Sequence, residues 1–442
     1  MAQDEVTSAA AGAVEPPPWR ARIRMYRQGL GDCFLVTLNG PEAPFHVLID
    51  CGVILGTANA AGQIAKVVAD IRQTCADRID IVVGTHEHWD HLSGFVQATD
   101  DLRKIAFETV WLGWTEDPKD PAAAGLAATR AKAIDALRLG VARLRLAGDG
   151  DSAAEIDSIL EFFGAAGGSS TKDALEIVRT LSNKPPTYVR PTDPPVDLPG
   201  GARLYVLGPP LDPALLKKSS PSAGQSYGFD SVDLFVSDVA PRLTDAGRSP
   251  FADDRVIPLS VAEHMPFFRE TYFNAAESSR KLDAAWLGSL SDVALKLDSD
   301  TNNTSVVLAF ELPGGDVLLF CADAQIGSWL SWATLSWQVD GKTVTGPDLL
   351  KRAIVYKVGH HGSHNATLKP NGLELMTALK YALLPVDAAM AQKKHWGRMP
   401  LPEIVDELNR RTGERVLRID QPKPAAAGPE AVETPLYYEL TI

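Results

Sequence analysis

The sequence predicts an α/β protein, and three observations predict it. Short runs rich in Val, Ile and Leu alternate with longer stretches of helical spacing along the chain. Several runs are apolar at nearly every position, as strands covered on both faces of a sheet are. Their ends carry chemistry: Asp50 follows His46 to Ile49, the run His86-Glu87-His88-Trp89-Asp90-His91 follows Ile79 to Val83, Asp323 follows Asp316 to Phe320, and His360-His361 follow Ala353 to Val358.

In chain order, residues 1–20 are rich in Ala, Glu and Pro with neither a basic start nor an apolar core, and are expected to be a disordered leader rather than a signal peptide. A strand from Arg22, a glycine turn at Gln28-Gly29-Leu30-Gly31-Asp32 and a strand Cys33 to Leu38 come next. Ile64, Val67, Val68 and Ile71 mark one helix face within Ala60 to Thr74, and Thr109 to Gly113 is a further strand. Pro121 to Leu181 is Ala- and Leu-rich with helical spacing, which predicts two or three helices. A strand Leu204 to Leu207 precedes a breaker-rich stretch, Gly208 to Asp298, with a helix expected near Ala275 to Leu287. Thr304 to Leu312 and Asp316 to Phe320 flank Pro313-Gly314-Gly315 as paired strands. The tail reads as helix Leu373 to Leu379, strand Tyr381 to Pro385, helix Pro402 to Arg411 and strand Val416 to Ile419. The expected organisation is one domain, 21–442, with insertions at about 121–184 and 208–298.

With 442 residues, 45% of them hydrophobic and 22% charged, the chain can bury a large core. It has no stretch of the roughly eighteen apolar residues that a membrane span requires, so no membrane partner is expected and cytoplasmic residence is the default. Cys33, Cys51, Cys75 and Cys321 are widely spaced without a CxxC pair and read as buried thiols. A net charge of -13 works against nonspecific binding of nucleic acid, which depends on many Lys and Arg contacts to phosphate. Oligomeric state leaves no mark.

Three histidines and an aspartate fall within six residues, although the chain has only nine His. All are ligand types for first-row metals. On a loop after a buried strand, His86 and His88 can point to one side and Asp90 and His91 to another, which suits two adjacent ions.

With Thr85 before it, this run resembles the HxHxDH signature of the metallo-β-lactamase superfamily. Val47 to Gly52 is similar to the family's early strand and Asp-x-Gly turn, whose Asp, here Asp50, supports the metal loop. Within the superfamily the likeness is greatest to the hydrolase domain of the competence channel of DNA uptake, through Gln28 to Asp32, Asn303 to Leu308, Cys321 to Ala324 and Lys357 to Ser363, in the same order. The resemblance implies an αββα sandwich, two mixed sheets face to face with helices outside and a metal site at one edge. It implies that His86 and His88 hold a first metal, Asp90 and His91 a second, and that Asp323 bridges them. His361, followed by Gly362, is the chosen remaining ligand, with His360 the competitor and otherwise a substrate or outer contact. His364 is placed at the rim. The cofactor implied is one or two ions of Zn2+ or Mn2+.

Two departures stand out. The family's middle His is missing, since the strand Leu204 to Leu207 ends at Gly208; His264 of the insertion is the one candidate replacement. Ala322 stands where the family has Gly before the Asp, and its extra methyl is expected to be tolerated.

A bound divalent cation lowers the pKa of water from about 15 to about 7, giving a hydroxide that Asp90 or Asp323 would orient. The expected activity is hydrolysis of a small-molecule ester, a lactone or a phosphoester. Alternatives are a nuclease or phosphodiesterase acting on nucleic acid, for which the tail lysines near His395 speak, and a metal-binding regulatory protein with a degraded first site. His395 itself is balanced between substrate contact and solvated loop. Trp111, Trp114, Trp329, Trp332 and Trp337 are read as packing residues, Asn302 and Asn303 as turn residues, and His46 as a structural histidine.

Overall fold

The computed structural model describes residues 19–146, 149–164, 170–218, 257, 259–262, 264–273, 288–369, 371–394, 396 and 398–442. β1 (Ala21–Tyr26), β2 (Phe34–Leu38) and β3 (Phe45–Ile49) form an antiparallel meander. β4 (Arg78–Gly84), β5 (Ala106–Gly113) and β6 (Thr187–Val189) extend it in parallel. A second sheet repeats the mixture: β7 (Val196–Asp197), β8 (Arg203–Gly208), β9 (Val307–Glu311) and β10 (Val317–Phe320) pair antiparallel. After a separate hairpin, β11 (Ser336–Val339) and β12 (Lys342–Thr345), the strands β13 (Ala353–Lys357), β14 (Tyr381–Leu384) and β15 (Val416–Arg418) join β10 in parallel. The chain then returns to the first sheet through β16 (Ala431–Glu433) and β17 (Tyr437–Thr441), with β17 antiparallel to β1. The resulting orders are β16-β17-β1-β2-β3-β4-β5-β6 and β15-β14-β13-β10-β9-β8-β7.

Alternation along each strand sorts the side chains into layers. Phe34, Val36, Val47 and Ile81 of the first sheet share one buried cluster with Leu204, Leu308, Phe310 and Phe320 of the second, so the two sheets face each other. The rings of Phe34 and Phe320 meet edge to face across that interface with centroids 5.6 Å apart. Leu35, Leu48 and Val82, on the opposite face of the first sheet, pack with α1 (Ala60–Cys75) and α2 (Trp89–Gln97). The outer face of the second sheet, through Val307, Ala309 and Leu319, belongs to a cluster with α3 (Pro121–Leu146) and α4 (Gly150–Leu160). α5 (Thr171–Arg179) lies on the α2 side; α6 (Gly288–Asn302), α7 (Ile326–Trp332) and α8 (Pro402–Thr412) join the second-sheet side. Helices therefore cover both outer faces of a mixed α/β protein.

The helical stretch after Pro121 resolves into α3, α4 and α5. The helix expected near Ala275 to Leu287 lies outside the described residues; the described helix of that region is α6. The helix expected over Leu373 to Leu379 is one 3-10 turn, Leu373–Leu375, because Lys380 N already donates to Ile354 O at 2.9 Å and draws the chain into β14. The closing strands β16 and β17 were not anticipated, although Tyr438 and Leu440 are buried on either side of Glu439. The four cysteines are free and buried, and Trp111, Trp114, Trp329, Trp332 and Trp337 are all core residues. His46 shares a 3.1 Å hydrogen bond with Thr37 Oγ1 and is structural. No described helix is long and apolar enough to cross a membrane.

β3 and β4 are parallel neighbours, as are β10 and β13, so the carboxyl ends of each pair lie at one edge of its sheet. The start of β2 joins the first edge, because Phe34 pairs with Ile49. Residues 32, 50, 86–91, 323 and 360–361 leave the sheets from these points.

Candidate metal centre

Asp50, immediately after β3, organises the loop after β4. Its Oδ1 accepts from Thr85 N at 2.8 Å, and its Oδ2 accepts from Thr85 Oγ1 and His91 Nδ1, each at 2.7 Å. Because Nδ1 of His91 is used as a donor, Nε2 is the nitrogen turned into the site. His361 is fixed the same way, with Nδ1 donating to Pro385 O at 2.6 Å. His91 Nε2 then lies 3.2 Å from Asp323 Oδ2, and His361 Nε2 lies 2.9 Å from Asp90 Oδ2 and 3.7 Å from Asp323 Oδ2.

Asp32, His91, Asp323 and His361 are all buried and each offers a ligand atom within 4.8 Å of the others, a set able to hold one metal ion. The atoms fit that use. Asp32 Oδ1, Asp90 Oδ1, His91 Nε2 and Asp323 Oδ2 are buried without a hydrogen-bond partner, an arrangement costly enough that a native cluster of them calls for an occupant. The donors, two imidazoles and carboxylates, suit a zinc- or manganese-type cation.

Lys357, buried on β13, offsets part of this negative charge: its Nζ lies 2.5 Å from Asp32 Oδ2 and donates to Asp323 Oδ1 at 3.2 Å and Ala322 O at 2.6 Å. Burial opposes the lysine charge, but Asp32 and Asp323 outweigh it and raise its pKa above the usual ammonium range. Burial also works against ionised Asp323, yet His91, Lys357 and His361 hold it well below the usual carboxylate range.

The imidazoles divide. Burial disfavours charge on His91, but Asp323, Asp90, Asp32 and Asp50 around it raise its pKa well above the ordinary value; His361 pays the same penalty, and Asp323 and Asp90 raise its pKa above the ordinary value. Both are thereby biased toward the protonated form, in which Nε2 carries a proton facing the carboxylates. A cation that takes those nitrogens has to displace any proton they carry, so uptake is expected to release protons, with affinity rising as pH rises. Calorimetry in buffers of different ionisation enthalpy measures this; uptake at these residues without proton release would contradict it.

His86 and His88 are buried and held neutral, by burial above all; His91 lowers both further, and the pKa of His88 falls to about 3. They face each other, His86 Nε2 to His88 Nδ1, at 3.0 Å. The rings of Phe162 and Phe163 lie 5.3 and 5.0 Å from that of His88. Glu87 points away from the cluster, to Arg130 of α3 and to Thr171 Oγ1 of α5 at 3.0 Å, which ties the helical segment to the metal loop.

The turn Gln28 to Asp32 is the other clamp. Gln28 Nε2 donates to Gly31 O at 3.2 Å and to Gly52 O at 2.9 Å, and Asp32 N donates to Asp90 O at 3.0 Å. A Cβ at Gly31 or Gly52 would stand 2.4 or 2.2 Å from Asp90 O, so only glycine admits this approach.

Of the expected ligands, His91, Asp323 and His361 belong to the four-residue set, Asp90 adjoins it, and His86 and His88 form a separate pair beside it. His360 donates its backbone N–H to Asp323 Oδ1 at 3.1 Å, while its ring turns to Ser363 Oγ at 2.9 Å and Gln325 Nε2 at 3.2 Å. His364 is exposed and outside the cluster, and His395 lies outside the described residues. His264 is also exposed, on the turn after the short helix Leu259–Ala262, and takes no part in the donor set. Asn303 supports backbone, donating to Leu216 O and Lys218 O at 3.1 and 2.9 Å, whereas Asn302 ends α6 and donates to Asp298 Oδ2 at 3.1 Å. Ala322 takes up an unusual backbone conformation. Its φ of 46° lies in the left-handed region, so its methyl carries a backbone cost of about 1 kcal/mol that glycine would not.

Asp32, Lys357 and Asp298 were not anticipated as site residues. Asp32 had a signal, the glycine turn before it; Lys357 and Asp298 reach the site only through the pairing of β13 and the course of α6. Compared with protein-family models and with curated proteins, the chain matches none.

Proposed function

We propose that the chain is a metal-dependent hydrolase of the metallo-β-lactamase fold, acting on an ester, lactone or phosphoester with one or two zinc or manganese ions. The observation that carries this reading is the convergence, at the carboxyl ends of β3, β4, β10 and β13, of buried imidazole and carboxylate atoms that lack hydrogen-bond partners. Helices outside two facing sheets agree with the family's sandwich.

A divalent cation supplies acidity that brings a water's pKa to about 7 and polarises the scissile oxygen. The residues do the rest. Asp32, His91, Asp323 and His361 would hold the ion, with Asp50 and Pro385 O setting the two ring orientations. Asp90 Oδ1 is free of other partners and would accept a proton from the attacking water. Lys357 limits the repulsion among the carboxylates. The nucleic-acid alternative loses one of its supports, because Lys394 is spent on Glu161.

Metal analysis followed by assay on ester, lactone and phosphoester panels with zinc or manganese tests the proposal. Turnover that vanishes on chelation is the expected result. A fully loaded protein with no turnover on any panel would favour the metal-binding regulatory alternative instead.

A further inference from the structure

α6 brings to the metal loop a carboxyl that the six-residue run does not account for. Asp298 is buried, and its Oδ1 lies 3.7 Å from His88 Nε2. Both atoms are buried without a hydrogen-bond partner, and at 3.7 Å they face each other just beyond hydrogen-bond reach. The other carboxyl oxygen, Oδ2, accepts from Asn302 Nδ2 at 3.1 Å, one helical turn on, which fixes the rotamer that aims Oδ1 at the histidine.

Hydrogen bonds along the loop settle which nitrogens are available. Thr85 Oγ1 gives its proton to Asp50 Oδ2, so at its 3.0 Å contact with His86 it can only accept, and His86 Nδ1 is the protonated nitrogen. His86 Nε2 therefore presents a lone pair toward His88 Nδ1, 3.0 Å away. For both to serve as donors to a cation, His88 must leave Nδ1 bare and carry its proton on Nε2. Nε2 is the nitrogen that faces Asp298.

We propose that Asp298 is a positioning residue for His88: its Oδ1 draws the proton to the facing Nε2, which leaves Nδ1 beside His86 Nε2 as a two-imidazole half-site backed by a carboxyl from α6. This rests on the metal-dependent reading above. It accounts for a position where the family resemblance implies a third imidazole and this chain has none: Gly208 cannot supply one, since a Cβ there would stand 2.9 Å from Ser305 O, and His264 is exposed. An acceptor oxygen behind a ligating histidine fixes its tautomer and orientation, and losing such a partner typically weakens metal binding about 10–100-fold.

Zinc titration of the chelator-treated full chain, by calorimetry and by metal content after gel filtration, tests the proposal. Wild type is expected to take up two ions of unequal affinity. Asp298→Ala should keep the tighter one, at Asp32, His91, Asp323 and His361, and bind the other about 10–100-fold more weakly. Asp298→Asn, which keeps an acceptor oxygen, should lose less, and Asp298→Ala should add nothing in a His88→Ala background. Asp298→Leu, close in volume and without an acceptor, serves where the alanine variant fails to fold. Wild-type affinities for both ions in folded Asp298→Ala or Asp298→Leu would overturn the role of Asp298 alone. A single ion in wild type would also overturn it while leaving the hydrolase proposal standing, and no zinc uptake at all would overturn both.

Discussion

Asp323→Ala is expected to lose metal binding by more than about a hundredfold, since outer partners alone are worth about 10–100-fold, and, on the proposed function, to reduce hydrolysis to background. The two carboxylate oxygens have separate tasks. Oδ1 accepts from Lys357 Nζ and from the backbone of His360, which holds the turn after β13 against the turn after β10. Oδ2 has no hydrogen-bond partner and faces both His91 and His361. Asp323→Asn separates them, because the amide keeps the volume and an acceptor for Oδ1 but removes the charge. It is expected to fold and still lose metal, since a neutral amide oxygen is a weaker ligand than a carboxylate and no longer offsets the cation's charge. Metal content and melting temperature, measured on the same samples, check this. Full zinc occupancy in either variant would remove Asp323 from the ligand set.

Gly52→Ala is expected to destabilise the protein by about 3 kcal/mol or more and to abolish metal uptake, although residue 52 carries no ligand atom. A methyl at that position would stand 2.2 Å from Asp90 O, 2.3 Å from its carbonyl carbon and 2.4 Å from His91 N. These are backbone atoms at the start of α2; Asp90 O accepts from Asp32 N and His91 N donates to His88 O, so they cannot step aside singly. Relief would have to move Asp90 and His91 together. Gly125→Ala in α3, where an added methyl meets nothing within 4 Å, is the control and should be neutral or stabilise by about 0.5–1 kcal/mol. A Gly52→Ala protein with a wild-type melting curve would refute the clamp.

Much of the site was legible because its residues are local. His86, His88, Asp90 and His91 fall within six consecutive residues, and Asp50, Asp323 and His361 each follow an apolar run that reads as a strand. The glycine turn Gln28 to Asp32 was visible as a motif, but its use was not. That Gly31 admits Asp90 O depends on two loops lying against each other, which no local pattern encodes. The same holds for Ala322, whose left-handed backbone follows from the turn that brings Asp323 under His360 N.

Local chemistry sufficed to say that strands and helices alternate and that their ends bear metal-ligand side chains, since each follows from spacing within a few residues; that Asp50 would brace the loop was implied by the family resemblance. Which atoms are left unpaired depended instead on contacts between distant segments. Lys357 neutralises Asp32 across 325 positions of chain, and Asp298 arrives behind His88 on a helix more than 200 residues away. Burial turns those meetings into chemistry: in the interior a carboxylate or imidazole finds its partner within a few ångströms or has none, and folding determines which.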